Sequence, residues 1–570
     1  MYEEYDYILV ISSLGLPRNY VESYYVMEVE RDNGRDTIPH ELGRRPKKQT
    51  SIAAIIQILK EKLKVEKVKP LIFVQDTILL DEIVHKWSNY RDKEIPRKEL
   101  MNILYNILYN SRPEAFRELG MYSLEDLKQY IVFVPGVLSY AEGSRLYTWR
   151  GERVYDLLRG AIILHVYEGL RKLYDELFSN DRVRLAIIID TTHGINYFAL
   201  ALKEAVLIAS ELFALEKAPA IEILTVYHYN SDPLPSYDCE GGAFVPSLKL
   251  HLLEKINIVK DGLLHPSTLL SMLKEIEFEK DVLKNLWRVD DINWDESVTT
   301  LKLYSRGLLL WALKLASTIR VPELQRLKES FGKNLSIVFK ESKLKEGVVT
   351  QFKMDYICNS RCPISHVVVS SILLGVLKGL ASKICTRIEE RVLDVIEDIR
   401  KVLDEKNESK NKNKDSLQEL KNYLKRFINQ RDTYTCFDFH KLKDLVKECI
   451  YQEPFKELIE HELEDNVEEY LAKRKLPGWR EILIDNDLQI YKEPKGRPAY
   501  FILYRDNLSL LVSIPQNHLE KRHVYAHAAL AYGLEWLAVS YMKNILLCLG
   551  DANKVKQIIR SVKALSLRWA

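Results

Sequence analysis

The chain has 570 residues, which is too long for one ordinary domain and indicates two to four. Hydrophobic residues make up 47% of it, so the chain can bury real cores and is not disordered as a whole. Its 83 basic and 81 acidic residues leave a formal net charge of +2, which argues against a uniformly basic nucleic-acid-binding surface but permits a local basic cleft.

Seven cysteines are spread along the chain, and the odd number favours structural thiols in a reducing, intracellular setting over a disulfide scaffold. Cys358 and Cys362 are four residues apart, but no second Cys or His pair follows at zinc-ribbon spacing. The acidic N-terminus is unlike a signal peptide. The longest apolar stretch, residues 367–377, is shorter than the ~20 residues that span a bilayer. We therefore expect a soluble, cytoplasmic protein without a membrane segment.

Strands and helices alternate up to residue 232. Apolar, β-branched runs predict strands at residues 7–11, 70–74, 130–134, 185–189 and 221–227. Helical periodicity lies between them, notably at residues 52–63, 154–177 and 197–213. This alternation predicts a Rossmann-like α/β domain with a mainly parallel sheet over residues 1–232, and Pro233 is expected to end the last strand.

Residues 233–294 mix short apolar pieces with a Gly-rich turn, and we predict a small connecting module there. Residues 295–570 are mainly helical in pattern and predict an all-α domain, with helices at residues 297–318, 367–401, 417–428, 442–473 and 519–549. The polar run at residues 406–415 predicts a solvated loop. Strand-like segments at residues 482–491 and 500–512 predict an inserted β-hairpin.

The most informative string is Asp-Thr-Thr-His-Gly-Ile-Asn at residues 190–196, here called the 190–196 turn. It joins a buried strand to a long helix, so polar side chains and free helix-start amides meet at the carboxyl end of a strand. Ligands bind at that edge of open α/β sheets, and helix N-termini favour phosphates. Thr192, His193, Gly194 and Asn196 are therefore candidate ligand contacts, although His193 can also be read as a turn residue that bonds its own backbone. Asp190 is expected to cap the turn and hold it rigid.

The loop after the first strand contains Ser12, Ser13 and one glycine, Gly15. A dinucleotide-binding turn needs Gly-x-Gly-x-x-Gly, and no Walker A sequence occurs anywhere in the chain. NAD binding and ordinary nucleotide hydrolysis are therefore not expected, and no cofactor is predicted. Ser12 and Ser13 offer hydroxyls and amides to a phosphate or ribose, and Gly15 shapes the turn; a plain turn is the alternative.

The Asp-x-Thr-His-Gly-x-Asn pattern resembles the signature of CARF domains, the sensors of CRISPR-associated effectors that bind cyclic oligoadenylates. The first loop, with Gly15, Pro17 and Tyr20, and the strings at residues 134–136 and 230–233 are similar to those of such effectors and follow the same order. Those effectors often carry a Trp at the position of Tyr20. The resemblance implies two CARF domains paired about a two-fold axis. One ring-shaped oligoadenylate then binds across the axis, against residues 12–15, Thr192, His193 and Asn196.

A second string, Lys-Arg-His-Val-Tyr-Ala-His at residues 521–527, opens the last predicted helix. His523 and His527 share a helix face as in a zinc helix, but Val524 stands where the metalloprotease pattern needs Glu and no third ligand is nearby, so no metal is predicted. Ordinary helix residues are another interpretation, although Arg522 is slightly unfavourable at a helix start. Arg522 and His527 also match the Arg-x(4–6)-His motif of HEPN ribonucleases. His523 departs from the Asn that often follows the Arg there, which leaves its role open.

The chemistry of RNA cleavage suits Arg522 and His527 as catalytic residues. RNA carries its own nucleophile, the 2′-hydroxyl, so cleavage needs no metal but does need a proton-transfer group and a cation facing the phosphate. Histidine and arginine supply these. Residues five apart on a helix diverge by roughly 140°. A site shared by two subunits is therefore favoured.

Together the resemblances imply a CARF–HEPN effector of a type III CRISPR system, acting as a homodimer or a higher assembly of dimers. A cyclic oligoadenylate, tetra-adenylate rather than hexa-adenylate, would switch on cleavage of single-stranded RNA. Two alternatives are a ring nuclease that degrades the oligoadenylate in the CARF pocket and a non-enzymatic nucleotide-sensing regulator.

Overall fold

The structure of the protein is a computed structural model that divides into two compact units. Unit 1 comprises Met1–Asp290 and Pro322–Ile372, and unit 2 comprises Asp291–Val321 and Leu373–Ala570. The structure describes residues 4–14, 23–31, 34–38, 47–65, 67–79, 94–111, 113–136, 138–142, 144–150, 154–177, 182–192, 196–218, 220–240, 243–261, 263–264, 269, 272–273, 293–305, 308–321, 324–333, 335–344, 349–358, 364–407, 413–442, 479–484, 488–492, 499–504, 508–514, 536–541 and 544–550.

The strands and helices follow one another along both units. The strands are β1 (Tyr7–Leu14), β2 (Ser23–Arg31), β3 (Gly34–Ile38), β4 (Lys47–Lys48), β5 (Val68–Gln75), β6 (Glu94–Pro96), β7 (Ile131–Val134), β8 (Leu138–Glu142), β9 (Arg145–Arg150), β10 (Val183–Asp190), β11 (Ile221–Glu240), β12 (Ala243–Lys260), β13 (Leu263–Leu264), β14 (Leu335–Leu344), β15 (Val349–Cys358), β16 (Cys385–Thr386), β17 (Thr435–Asp438), β18 (Arg480–Ile484), β19 (Leu488–Lys492), β20 (Ala499–Tyr504), β21 (Leu508–Ser513), β22 (Trp536–Tyr541) and β23 (Asn544–Leu549). The α-helices are α1 (Ser51–Gln57), α2 (Arg97–Ser111), α3 (Pro113–Arg117), α4 (Leu124–Tyr130), α5 (Val154–Leu177), α6 (Asn196–Lys217), α7 (Trp294–Ser305), α8 (Leu309–Thr318), α9 (Leu324–Lys333), α10 (Ile364–Ile384), α11 (Glu390–Asn407) and α12 (Lys414–Asn429).

Unit 1 is built on a ten-stranded sheet with a parallel centre. Strand β1 pairs in parallel with β10 on one side and β5 on the other, and the parallel pairing continues to β11 and β7. The central strands are apolar, and both faces of β1 are buried, as in parallel sheets that helices cover on both sides. All five strands predicted from apolar runs are present. The Rossmann-like, mainly parallel N-terminal sheet is therefore confirmed.

Strand β11 continues past the point where the sequence predicts its end. It runs to Glu240, and β12 returns antiparallel to it, so a long hairpin extends the first sheet. The expectation that Pro233 ends the strand is wrong. A shift in register between Pro233 and Tyr237 accommodates the proline, which cannot donate a ladder hydrogen bond. Beyond this hairpin, most of the interval up to residue 294 lies outside the described residues.

Unit 1 also contains a second, five-stranded sheet in the order β6-β14-β15-β9-β8. Its centre is the antiparallel hairpin of β14 and β15, and β15 pairs in parallel with β9. Residues distant in sequence, such as Arg145 and Thr350, are thus register partners. The C-terminal half of the chain therefore contributes strands to the unit that contains the N-terminus.

Unit 2 combines helices with an eight-stranded sheet, in the order β16-β17-β23-β22-β21-β20-β19-β18. All neighbouring strands in it are antiparallel. The helix predicted at residues 417–428 is confirmed as α12. The helix predicted at residues 297–318 is α7 followed by α8, and the one predicted at residues 367–401 is α10 and α11 separated by β16. The segments predicted as a hairpin form β18 to β21, within a sheet larger than that hairpin. The helix predicted at residues 442–473 falls almost wholly outside the described residues, as do residues 408–412 of the polar run.

The helix predicted at residues 519–549 is wrong over its last part, where β22 and β23 form an antiparallel hairpin. Their side chains alternate between two buried faces, and Leu537, Val539 and Cys548 pack beneath α11 and α12. A short apolar run has the same composition in a buried strand and in a buried helix, so periodicity alone cannot separate them.

Cys436 of β17 and Cys548 of β23 are direct cross-strand partners and form a disulfide bond. The expectation of structural thiols is wrong for this pair, because strand pairing brings together two residues separated by 112 positions. Cys385 keeps its thiol, and burial raises the pKa of that thiol to about 11.

Lys314 of α8 stabilises the region around the disulfide-linked strands β17 and β23. Its ammonium group donates to the carbonyls of Thr433 (3.1 Å) and Leu549 (2.9 Å).

Helix α10 is longer than the apolar stretch noted in the sequence. Its 21 residues are long and apolar enough to cross a membrane, but most of them are buried inside the protein, as in an ordinary core helix.

Reducing the Cys436–Cys548 bond is expected to lower the unfolding temperature of unit 2. A cross-link restricts the unfolded chain, and in the chain-entropy model one that closes a loop of this length stabilises the folded state by about 4–5 kcal/mol. Calorimetry of the full chain with and without dithiothreitol measures the effect. A variant carrying both Cys436→Ser and Cys548→Ser should not respond to reductant, whereas Cys385→Ser should respond like the parent. A parent whose unfolding is unchanged after the bond is reduced would refute the stabilising role.

Candidate functional site

The candidate site lies at the carboxyl edge of the central parallel strands of unit 1. Strands β5, β1, β10 and β11 are adjacent, so the segments that leave them converge at one edge. Ser12 and Ser13 lie near the end of β1, Asp190 ends β10, and Thr192 follows two residues later. The fold thus brings the first loop and the 190–196 turn together although they are far apart in sequence.

The carboxylate of Asp190 joins three segments at this edge. Its Oδ2 accepts hydrogen bonds from the hydroxyls of Ser12 (2.8 Å) and Ser51 (2.5 Å), and its Oδ1 accepts from the backbone amide of Thr192 (3.1 Å). Asp190 is fully buried, and a carboxylate away from water needs such donors. The contact with Thr192 is the local turn expected of an Asp at this position.

Sequence reasoning missed Ser51. It is the first residue of α1, and the preceding Thr50 caps the helix by accepting a hydrogen bond from the Ala53 amide at 3.3 Å. A Thr-Ser pair just before an apolar helical run is a recognisable helix start. Nothing in the sequence, however, indicates that this helix start lies against Asp190.

Ser12 and Ser13 have different roles because neighbouring residues of a strand face opposite sides of the sheet. Ser12 is the register partner of Asp190 and donates to it. Ser13 is the register partner of Phe73 of β5 and faces the other side. The hydroxyl of Ser12 is thus used within the protein, which makes Ser13 the better candidate for a ligand contact through its side chain.

Two hydroxyls at the edge are buried without a partner. Neither Ser13 Oγ nor Thr192 Oγ1 makes a hydrogen bond within the part of the chain that the structure describes, and Ser13 is only 1% exposed. Buried polar atoms are nearly always satisfied in folded proteins, so an unsatisfied one points to a water, an ion or a ligand. Both residues are among the ligand contacts predicted from the sequence.

His228 of β11 flanks the site on one side. Its Nε2 lies 3.0 Å from Thr191 Oγ1, and the Thr191 hydroxyl donates to the carbonyl of Tyr229 at 3.1 Å. Burial, followed by the nearby charge of Lys203, lowers the pKa of His228 below its ordinary value. The lowered pKa favours the neutral imidazole at neutral pH.

A second polar group flanks the site at the ends of β5 and β7. Gln75, Asp76 and Thr77 are all buried. Asp76 Oδ1 accepts a hydrogen bond from the Gly136 amide at 3.1 Å, and Gln75 Oε1 accepts one from the Tyr197 hydroxyl at 2.8 Å. Sequence reasoning noted Gly136 but missed Gln75 and Tyr197. The available signal was the switch from apolar to polar residues directly after the strand.

The remaining candidate residues are outside the described part of the chain. Gly15, His193 and Gly194 belong to this group, and Asn196 is described only as the first residue of α6. Arg522, His523 and His527 fall within residues 515–535, also outside it. Among the residues that the structure does describe, no group of three or more His, Cys, Asp or Glu side chains is placed to hold a metal ion.

The comparison with known families identifies the domain that contains this sheet and its polar edge. Residues 9–233 match the family model of the CARF domain of the CRISPR system endoribonuclease Csx1. The match supports a protein of the Csx1 type, and a CARF domain indicates a protein of type III CRISPR systems that senses cyclic oligoadenylates. It covers less than half of the chain and none of unit 2. No curated protein matches the chain significantly.

Replacing Asp190 by Asn is expected to destabilise unit 1 by about 2–4 kcal/mol, because the new amide nitrogen turns one buried acceptor into a donor that faces other donors. Denaturant unfolding of the full chain measures the loss. Asp175→Asn is the matched control, since Asp175 is an exposed partner of Lys217 and its replacement should cost less than about 1 kcal/mol. Equal stability of the two variants would show that Asp190 does not hold the edge together.

Proposed function

We propose that the protein is an endoribonuclease of type III CRISPR antiviral defence that a cyclic oligoadenylate activates and that cleaves single-stranded RNA without a metal. Residues 1–232 are the CARF sensor, residues 233–294 the connecting module, whose β12 belongs to the first sheet, and residues 295–570 the HEPN ribonuclease, of which residues 322–372 lie in unit 1. The observation that carries the proposal is the CARF match over residues 9–233, together with two buried hydroxyls at this edge that have no partner among the described residues.

Sensing takes place at the edge that Asp190 organises. The hydroxyls of Ser13 and Thr192 bind the sugar-phosphate ring of the oligoadenylate, with Gly15, His193, Gly194 and Asn196 completing the contacts. Ser12 contributes through its backbone, because its hydroxyl donates to Asp190. Cyclic tetra-adenylate is the expected activator rather than cyclic hexa-adenylate. The ring binds across a two-fold axis between two copies of the chain.

Cleavage takes place at Arg522 and His527, contributed by two subunits. His527 takes the proton of the RNA 2′-hydroxyl as the 2′-oxygen attacks the adjacent phosphorus, and it passes a proton to the 5′-oxygen as the bond from that oxygen to phosphorus breaks. The products are a 2′,3′-cyclic phosphate and a 5′-hydroxyl. Arg522 faces the phosphate oxygens and stabilises their growing negative charge. The family description, which names an endoribonuclease, supports this assignment, as does the spacing of the two residues.

Activation requires the ligand to bind one arrangement of the dimer more tightly than another. A ligand with equal affinity for both arrangements would bind without switching anything. The 190–196 turn suits this role because it leads directly into α6, so a ligand held there acts on a long helix of unit 1.

Cleavage of labelled single-stranded RNA should require the activator and persist in EDTA. His527→Ala and Arg522→Ala are each expected to reduce the rate at least a hundredfold, because general acid–base catalysis and phosphate stabilisation each contribute about that much. His440→Ala, an exposed histidine of unit 2, is the control and should cut like the parent. If His527→Ala also cuts like the parent, the HEPN assignment is wrong. Loss of the oligoadenylate without any RNA cleavage would instead favour a ring nuclease.

Ser13→Ala and Thr192→Ala should each raise the concentration of cyclic tetra-adenylate needed for half-maximal RNA cleavage about tenfold, the effect of losing one hydrogen bond to a charged group. Titrations with cyclic tetra- and hexa-adenylate in parallel identify the activator. Normal activation of both variants by either ring would mean that sensing occurs elsewhere in the protein.

A further inference from the structure

Gln75 is on the strand next to Ser13, whose hydroxyl has no partner among the described residues, and its side chain is on the same face of the sheet. Ser13 is the register partner of Phe73, and side chains two residues apart on a strand share a face, so Gln75 at the end of β5 is on the face of Ser13. Gln75 is on the strand next to Ser13, a ligand contact predicted from the sequence, but the sequence did not predict Gln75 itself as a contact.

The amide of Gln75 is held in one orientation. The Tyr197 hydroxyl donates to its Oε1 at 2.8 Å, so the amide nitrogen is left as a donor for another group. The oxygen keeps a second lone pair. Gln75 is 7% exposed, so the side chain has little freedom to rotate.

Gly136 closes the space beside this amide. A Cβ at Gly136 would lie 2.8 Å from Gln75 Oε1 and 2.7 Å from Thr77 Oγ1, so only glycine lets the backbone after β7 approach this closely. The amide of Gln75 is thus confined by Tyr197 and by the backbone at Gly136. A polar group fixed in this way loses little conformational entropy when it binds a ligand.

Tyr197 connects Gln75 to the 190–196 turn. It directly follows Asn196, the last residue of the turn and the first of α6. The residue that orients the amide is therefore adjacent in sequence to the proposed ligand contacts.

We propose that Gln75, held by Tyr197, determines base specificity by binding the edge of an adenine in the bound cyclic oligoadenylate. The amide nitrogen donates to adenine N7, and the free lone pair of Oε1 accepts from the N6 amino group, a pairing that glutamine makes with adenine in nucleic acids. The hydroxyls of Ser13 and Thr192 suit the ribose and phosphate, which all nucleotides share. Gln75 supplies the contact that distinguishes the base, and this inference rests on the proposed function.

The test is calorimetric titration of the full chain with cyclic tetra-adenylate and with the analogue that carries 7-deaza-adenine, which lacks N7. The parent should bind the normal ring about tenfold or more tightly than the analogue, within the range of a bidentate base contact. Gln75→Ala should lose affinity for the normal ring and bind both rings equally, because the variant and the analogue remove the same hydrogen bond. Gln325→Ala, an exposed glutamine of α9, should behave like the parent.

Gln75→Glu keeps the shape of the side chain but replaces the donor by an acceptor, so it must also lose the preference for the ring that contains N7. If Gln75→Ala does not fold, Gln75→Glu takes its place as the test of the inference. A Gln75 variant that still prefers the normal ring by the parental factor overturns the inference. If Ser13→Ala and Thr192→Ala weaken binding in the same experiment, the proposed function survives that result. Cyclic hexa-adenylate is titrated in parallel; if the parent binds neither ring, the proposed function fails and this inference fails with it.

Discussion

A carboxylate removed from water must be surrounded by donors, and the donors around Asp190 come from three separate segments. The end of β1, the start of α1 and the 190–196 turn are fixed to one another through Ser12, Ser51 and the amide of Thr192. None of these bonds lies within the regular ladder of the sheet. The shape of the proposed ligand-binding edge therefore depends on one buried side chain that itself contacts no ligand in the proposed site.

The alternation of side chains along β1 divides the edge into a structural side and a side proposed to bind the ligand, here called the binding side. Ser12 faces Asp190 and serves the structure, whereas Ser13 faces away and has no partner in the described part of the chain. On the binding side Gln75 lies one strand away from Ser13, and His228 of β11 lies beyond β10. Two adjacent serines near the end of a strand can in this way serve both faces of the sheet: one holds the edge together, and the other is left for the proposed ligand.

The sequence predicted the parallel sheet well, because the five strands are continuous β-branched runs that few other structures accommodate. Because Ser13, Asp190 and Thr192 come at or just after the ends of those runs, the sequence also placed them at one edge of the sheet. The sequence could not show that Ser51 contacts Asp190 or that Tyr197 contacts Gln75, since both contacts join residues more than 100 positions apart. In unit 2, β22 and β23 were mistaken for helix because their apolar runs are short and buried on both faces. The sequence could not show that Cys436 pairs with Cys548, because the two become neighbours only through the register of β17 and β23.

The disulfide bond encloses a large part of unit 2 in a covalent ring. The 112-residue separation between Cys436 and Cys548 spans β18 to β22 as well as Arg522 and His527. A protease that cuts the backbone once anywhere inside this ring leaves the two fragments attached through sulfur. Such a nicked molecule migrates as a single species until it is reduced, and neither fragment diffuses away from the other. The segment proposed to cut RNA is thus secured to the sheet at both ends, even when its own backbone has been cut.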